Sequence, residues 1–196
     1  MTDLSVSTAW PRHISGDTIA VMNDTLNPFA LRPARESDAE ALVGLIGELA
    51  EFEHLTHLMQ VTPQALRTHL FGPDPVARAI VAEAPTFAEG LIGFALYFRN
   101  FSTFLGRPGL YLEDLYVQPS WRGRGVGTAL LRHLGALAVA GGCGRFEWSV
   151  LDWNANAIAF YEKMGAQVLP EWRICRVTGA ALDAFGPDGP DRSNTP

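Results

Sequence analysis

The residues best suited to chemistry lie in a glycine-rich loop between a predicted strand and a predicted helix. The loop reads, in order, Arg122, Gly123, Arg124, Gly125, Val126 and Gly127. Glycines allow positive φ and let the backbone approach a ligand closely. The following helix points free N–H groups and its positive dipole end at that ligand, and arginines match phosphate oxygens. The loop therefore predicts a pyrophosphate-binding site.

Two better-known phosphate loops do not fit this segment. A Walker loop requires Lys-Ser/Thr after its last glycine, and Val126-Gly127-Thr128 does not supply it. The dinucleotide fingerprint has a different glycine spacing and follows the first strand of a domain, whereas this loop comes late in the chain. The remaining alternative is a tight strand-to-helix turn that merely needs glycine.

Two adjacent acids, Glu113 and Asp114, interrupt an otherwise apolar strand predicted over residues 110–117. Strict alternation along a strand predicts that they project to opposite faces. An unpaired charge is costly against a packed layer, so acids in a central strand indicate a functional role. The alternative is that both acids lie near a frayed strand end, exposed or in ion pairs.

The elements that must position these residues follow an α/β order. Hydrophobic periodicity and turn residues predict strands over residues 29–32, 79–83, 91–98, 110–117, 145–150 and 172–177. The same signals predict helices over residues 37–53, 62–72, 125–140 and 156–164. Helices that alternate with strands favour a single layered domain.

Length and composition indicate one domain over residues 29–182, with a loosely ordered extension over 1–28 and a flexible tail over 183–196. The chain has 196 residues, 47% of them hydrophobic. A net charge of -6 argues against nonspecific nucleic-acid binding. Two cysteines without a CxxC pair, no secretory signal and no membrane span predict a cytoplasmic protein without a membrane partner. The histidine spacing predicts no metal site.

Several segments resemble the GCN5-related N-acetyltransferase (GNAT) superfamily. Arg122-x-x-Gly125-x-Gly127 matches its acetyl-CoA motif, and residues 154–166 match its later motif. Segments similar to the spermidine/spermine (diamine) N-acetyltransferase family are residues 32–34, 48–53, 92–97, 111–114 and 153–154. The resemblance implies an acetyl-CoA-dependent N-acetyltransferase with a mixed, mostly antiparallel twisted sheet of about seven strands, flanked by helices and splayed at the acetyl-CoA site. It also implies a homodimer with the C-terminal strands near the interface.

The same resemblance implies where acetyl-CoA binds. The backbone of Leu115, Tyr116 and Val117 would bond the pantetheine arm, and amides from Gly123 to Thr128 would hold the pyrophosphate. Residues further along would line the same co-substrate. The implied set is Leu115, Tyr116, Val117, Arg122, Gly123, Arg124, Gly125, Val126, Gly127, Thr128, Asn154 and Ala157.

For catalysis, the resemblance implies Glu113 as general base and Tyr161 as general acid. An amine with a pKa of about 10.4 must lose a proton before attack, a gap of about 4.6 kcal/mol at neutral pH. A neighbouring carboxylate accepts that proton and attracts the cation. A tyrosine hydroxyl, with a pKa of about 10, can protonate the leaving thiolate. The alternative for Tyr161 is simple aromatic packing.

The resemblance also implies an acceptor side with acids and aromatic residues that suit a small-molecule amine, a polyamine or diamine. The set is Phe52, Glu53, Glu113, Asp114, Trp153 and Glu171. Glu147 departs from the family, since the animal polyamine enzymes carry a histidine there. The alternatives are an amino acid, thia-lysine or protein amine as substrate, or an acetyl-CoA sensor without turnover.

Overall fold

The computed structural model describes residues 28–86 and 90–187, and these fall into two compact units that meet in the chain at Ser149 and Val150. The predicted extension over residues 1–28 lies outside the described residues except for Pro28, and the predicted tail over 183–196 lies outside them from residue 188 onward. Within them, no helix is long and apolar enough to cross a membrane.

The first unit is built on a five-stranded sheet in the order β1-β2-β3-β4-β5. Neighbouring strands pair in antiparallel fashion except β4 and β5, which are parallel. The strands are β1 (Ala30–Pro33), β2 (Arg78–Glu83), β3 (Leu91–Ser102), β4 (Arg107–Val117) and β5 (Arg145–Trp148). The predicted mixed, mostly antiparallel sheet is thus confirmed.

Strand number is lower than expected, because the described residues give five strands rather than about seven. The strand predicted over 172–177 is not formed, and its residues are exposed. Trp172 and Ile174 keep 73% and 69% of their surface accessible. Alternating apolar residues need a neighbouring strand to complete their hydrogen bonds, and this segment has none within the described chain.

Helices connect and flank the strands. They are α1 (Ala39–Phe52), α2 (Pro63–Leu66), α3 (Val126–Ala140), α4 (Ala155–Lys163) and α5 (Ala180–Asp183). Thr62 caps α2 by accepting the N–H of Ala65, with Pro63 in the first turn. A turn of π-helix over Arg67–Phe71 extends α2.

One apolar core holds α1 and α2 against the sheet. Leu42 and Leu45 of α1 and Leu66 of α2 pack with Phe94 of β3 and Tyr116 of β4. Leu42 and Phe94 are almost fully buried, and burying each such side chain stabilises the fold by about 1.5–3 kcal/mol. This core holds α1 on the sheet, and the C-terminal end of α1 carries Phe52 and Glu53.

Candidate active site

A β-bulge in β4 sets the geometry of the two adjacent acids. Leu112 pairs with Tyr97 and Asp114 pairs with Leu96, so Glu113 is the extra residue of the bulge. Paired residues share a face, which places Asp114 on the same face as Leu96, the side that packs against α1. The expectation of strict alternation is therefore wrong at this point. The bulge brings Asp114 to the face that regular alternation assigns to Glu113.

Three carboxylates lie close enough to influence one another in this region. Burial raises the pKa of Asp114 to about 6, and the negative charges of Glu113 and Glu53 add to the rise. Burial also raises the pKa of Glu53, which lies at the C-terminal end of α1. Glu113 is exposed. Unpaired acids gathered at one place attract a cation, and a raised carboxyl pKa is typical of a functional site.

Beyond Leu112 the sheet opens between β4 and β5. The parallel pairing runs from Gly109 with Arg145 to Leu112 with Trp148, where β5 ends. Leu115–Val117 still pair with β3, but no described strand pairs with them on the β5 side. The backbone N–H and C=O groups of this edge that point away from β3, apart from the Val117 carbonyl that Arg122 bonds, can bond an extended ligand arm as an added strand would. The splayed sheet implied by the resemblance is present, and the free edge fits a pantetheine arm.

The glycine loop leads into α3 and leaves open space before it. Gly123 and Gly125 have φ values of 76° and 85°, which favour glycine. No described atom lies within 4 Å of the place where a Cβ would stand on either residue. Gly125 is the N-cap, so the helix begins one residue later than predicted.

The first turn of α3 presents backbone donors to this space. Its first intrahelical hydrogen bond runs from the Ala129 N–H to the Gly125 carbonyl. The N–H groups of Val126, Gly127 and Thr128 therefore have no intrahelical acceptor. Together with the positive end of the helix dipole, they suit an anionic ligand such as pyrophosphate.

The two arginines of the loop occupy different surroundings. Arg122 Nε donates to the Val117 carbonyl at 3.0 Å, and its guanidinium lies 5.2 Å from the Phe52 ring centroid. The guanidinium of Arg124 lies 4.8 Å from the ring centroid of Trp121. Arg122 therefore joins the end of β4 to the end of α1, whereas Arg124 extends along the loop.

A carboxylate that sequence reasoning missed holds the end of β4 against α1. Glu48 accepts hydrogen bonds from the Tyr116 hydroxyl and from Gln118 Nε2, each at 3.0 Å. Burial and this hydrogen bond raise the pKa of Tyr116 to about 12, so its hydroxyl stays protonated. The sequence signals for Glu48 were its place in the family-like segment 48–53 and the helical spacing that brings it to the sheet side of α1.

The remaining predicted residues lie in the second unit. Asn154 is the N-cap of α4 and accepts the N–H of Ala157 at 3.2 Å, so both have a structural role as a helix cap. Tyr161 lies on α4, with its ring centroid 5.3 Å from that of Phe160. Trp153 and Glu171 are exposed. Their participation in one cleft with Glu113 stays a prediction.

Among the described residues, no three His, Cys, Asp or Glu side chains are grouped to hold a metal ion. The donors around the glycine loop are backbone N–H groups and arginines, which suit an anion. The open edge and the loop together fit an acyl-CoA co-substrate.

Comparisons with known proteins agree with this geometry. The model of the acetyltransferase (GNAT) family matches residues 42–166. The mouse thialysine N-epsilon-acetyltransferase is 41% identical over 160 residues, which cover 78% of this chain and 94% of that enzyme. The L-ornithine N5-acetyltransferase of Arabidopsis thaliana is 36% identical over 197 residues, covering 79% and 86% of the two chains.

A more distant relative and a solved structure extend the likeness. The human spermidine/spermine N(1)-acetyltransferase-like protein 1 is 30% identical over 159 residues, which cover 78% of this chain and 23% of that protein. An integron cassette protein of V. cholerae superimposes with a TM-score of 0.67 at 26% identity, covering 81% of this chain and 97% of that one. The chain belongs to the GNAT family of acetyltransferases, enzymes that use acetyl-CoA as co-substrate.

Proposed function

We propose that this acetyltransferase modifies a terminal primary amine of a small molecule that carries a second positive charge, by direct transfer from acetyl-CoA. The observation that carries the proposal is the bulge at Glu113, which sets Asp114 beside two further carboxylates at the point where the sheet opens. Diamines, polyamines and diamino acids share the required chemistry. Their cations suit the acids, and their free amine is the attacking group.

The proposed mechanism needs no covalent enzyme intermediate. The acetyl thioester supplies an activated acyl group, which would be held by the free edge of Leu115–Val117 and the amides of the glycine loop. Glu113 accepts one proton from the substrate ammonium, and the neutral amine then forms the new C–N bond as the C–S bond breaks. Backbone N–H groups of the free edge stabilise the developing negative charge on the carbonyl oxygen. Tyr161 donates a proton to the departing CoA thiolate. The acylated nitrogen then loses its second proton through solvent, which restores the Tyr161 hydroxyl and leaves a neutral amide and free CoA thiol.

The named relatives support this substrate class. The mouse relative is named for the ε-amine of thialysine, the Arabidopsis relative for the N5 amine of ornithine, and the human one for spermidine and spermine. Each name describes a primary amine on a flexible chain that bears another amine. An amino acid with a side-chain amine is therefore a second candidate beside the polyamines.

A thiol-release assay with a panel of amines tests the proposal, and Glu53 gives it a sharp variant. Glu53→Gln is expected to lower kcat/KM for spermidine by about 10- to 100-fold, because a charge-assisted contact to a distal ammonium is lost. The readout is CoA thiol released per unit time at subsaturating amine. Glu51→Gln is the matched control, since Glu51 is an exposed acid of the same helix.

Two results would contradict the proposal in different ways. Unchanged kcat/KM in Glu53→Gln would remove the polyamine assignment while leaving the acetyltransferase intact. If acetyl-CoA bound but no amine in the panel released thiol, the sensor without turnover would be favoured instead.

We infer that the protein forms a homodimer through its C-terminal segment. β5 is an edge strand of the sheet, and residues 168–177 expose a row of apolar side chains. These are Val168, Leu169, Trp172, Ile174 and Val177, with 40–73% of their surface accessible. An exposed apolar segment of strand-like sequence and an edge strand both favour pairing between copies.

Light scattering during size-exclusion chromatography tests the dimer. The full chain is expected to elute at twice its mass of 21.3 kDa, and Ile174→Asp to shift toward the single-chain mass. Arg173→Asp is the control, because residue 173 alternates with the apolar residues Trp172 and Ile174 and would face away from the interface that they form. A wild-type chain that elutes at single-chain mass at micromolar concentration would refute the dimer.

The cytoplasmic setting also stays a proposal. Its support is that Cys143 and Cys175 are both free thiols. Free thiols are typical of a reducing compartment.

A further inference from the structure

The face of the sheet that carries Asp114 continues toward β5 with two stacked aromatic side chains. Phe98 of β3 and Tyr111 of β4 are paired and stacked, with ring centroids 5.1 Å apart. The Tyr111 hydroxyl is 2.8 Å from Ser149 Oγ. Leu96 and Phe98 alternate along β3 on one face, so Asp114 opposite Leu96 shares that face with Tyr111 opposite Phe98. The stacked rings therefore extend from the acidic cluster toward β5.

On β5 this surface ends in a pair of opposite charges. Glu147 pairs with Tyr111 and Arg145 pairs with Gly109, two residues earlier on the same face. Arg145 Nη2 lies 3.2 Å from Glu147 Oε1, and Asn100 Nδ2 donates to that same oxygen at 2.7 Å. Both charged side chains keep 37% of their surface exposed. A ligand can therefore reach both charged groups while they remain in contact with each other.

The pair is held loosely on the arginine side. Arg145 Nη2 reaches the Phe101 carbonyl only at 3.5 Å, the outer limit of a hydrogen bond. Arg145 Nε and Asn100 Oδ1 are buried, and neither has a hydrogen-bond partner among the described residues. Buried polar atoms without partners are rare in folded proteins and call for an explanation. A guanidinium with few internal bonds can turn toward a ligand at small cost.

Gly109 makes room for this arrangement. A Cβ there would lie 2.2 Å from Asn100 Oδ1 and 3.1 Å from Arg145 Cγ, so both side chains pass directly over the glycine. Any other residue at position 109 would displace them. Glycine at position 109 is therefore required for this arrangement of Asn100 and Arg145.

We propose that Arg145 and Glu147 form a subsite for the α-carboxylate and α-ammonium of a diamino acid whose side-chain amine is acetylated. This rests on the proposed function of the acidic cluster. Without substrate the two side chains neutralise each other. A bound zwitterion replaces that single loose ion pair with two, carboxylate to Arg145 and ammonium to Glu147, so no charge is left unpaired.

The spacing fits such a substrate. Asp114 pairs with Leu96 and Tyr111 pairs with Phe98, so Asp114 lies two β3 residues further along the sheet than Tyr111. Glu147 pairs with Tyr111 on the neighbouring strand β5. The backbones of Asp114 and Glu147 are therefore about 8 Å apart. A chain of four or five single bonds, as between the α-carbon and the side-chain nitrogen of ornithine or lysine, spans about 5–6 Å. With the reach of the acidic side chains, one such molecule can touch both ends.

The test compares L-ornithine with 1,4-diaminobutane, which lacks only the carboxylate. The wild-type enzyme is expected to have the higher kcat/KM for ornithine. Arg145→Gln should lower kcat/KM for ornithine by about 10- to 100-fold, the range for a lost hydrogen bond to a charged group. In the same variant diaminobutane should be turned over at least as well as before, because Glu147 is then free for its distal ammonium.

Two further variants separate charge from structure. Arg145→Lys keeps the cation and should retain part of the ornithine preference. Arg99→Gln is the matched control, since Arg99 is an exposed arginine of β3 whose side chain points to the opposite face from Asn100. It should leave the ratio of the two substrates unchanged.

The possible failures are distinguishable. Equal turnover of ornithine and diaminobutane by wild type, or the same ratio in wild type and Arg145→Gln, would overturn the subsite while leaving the proposed function intact. Absence of thiol release with both amines and with the full panel would overturn the proposed function and the subsite together.

Discussion

Replacing Glu113 with Gln is expected to lower kcat/KM for the amine by about 10²- to 10⁴-fold, the usual contribution of a positioned general base. The dissociation constant for acetyl-CoA should not change, because the proposed pantetheine and pyrophosphate contacts are backbone groups. Steady-state thiol release and calorimetric titration of acetyl-CoA measure the two quantities separately. The combination of intact co-substrate binding and lost turnover is the result that a base predicts.

Asp114→Asn is the natural comparison, and pH distinguishes the two acids. Burial and the neighbouring charges of Glu113 and Glu53 raise the pKa of Asp114 to about 6, so this carboxyl gains a proton as pH falls through that value. Wild-type kcat/KM should therefore drop with an inflection near pH 6, beyond the slope due to the amine itself. Asp114→Asn should be weaker at neutral pH and should lack the inflection.

The outcome that contradicts Glu113 as base is specific. If Asp114→Asn lost more activity than Glu113→Gln at pH 8, well above the raised pKa of Asp114, the proton would be assigned to Asp114. The bulge makes this comparison necessary, because it places both acids near the same opening of the sheet.

The glycine loop shows what local sequence can predict. Gly123 and Gly125 were expected to need positive φ, and they have it. The strand before the loop ends at Val117 as predicted, although it begins three residues earlier, and the helix after the loop begins one residue later than predicted and ends at Ala140 as predicted. Turn and cap preferences depend on the conformation of a few neighbouring residues, so the sequence itself contains the required information.

The bulge shows what local sequence cannot predict. Nothing in the order Leu112, Glu113, Asp114 indicates that one residue is skipped in the pairing with β3. Register belongs to two strands together, and a single extra residue changes the face of every residue after it. The face of Asp114 was therefore beyond prediction from β4 alone.

Partners from distant parts of the chain were missed for the same reason. Glu48 bonds Tyr116 and Gln118, and Asn100 bonds Glu147 across two strand pairings. Each side chain has an unremarkable polar identity in the sequence. Only the packing of α1 and the order of β3, β4 and β5 bring these groups within hydrogen-bond distance.

The strand predicted over 172–177 does not form, and the reason is thermodynamic. Alternation of Trp172, Ile174 and other apolar residues satisfies the pattern of a half-buried strand. A strand forms only where another strand supplies hydrogen bonds and a packed layer covers its apolar side chains. The free energy gained from these contacts must exceed the conformational entropy lost when the chain is ordered. The sequence of one chain cannot state whether a second copy supplies them.

Tyr161→Phe is expected to reduce kcat by about 10²- to 10⁴-fold while acetyl-CoA binding stays near the wild-type value. Phenylalanine keeps the ring that lies 5.3 Å from Phe160 and removes only the hydroxyl, so packing of α4 is preserved. Tyr97→Phe is the matched control, because Tyr97 is a buried tyrosine of β3 that pairs with Leu112 before the bulge. Activity close to wild type in Tyr161→Phe would show that the ring serves packing, and another proton donor for the thiolate would then have to be sought. A selective loss in Tyr161→Phe, absent from Tyr97→Phe, would assign the proton to this hydroxyl.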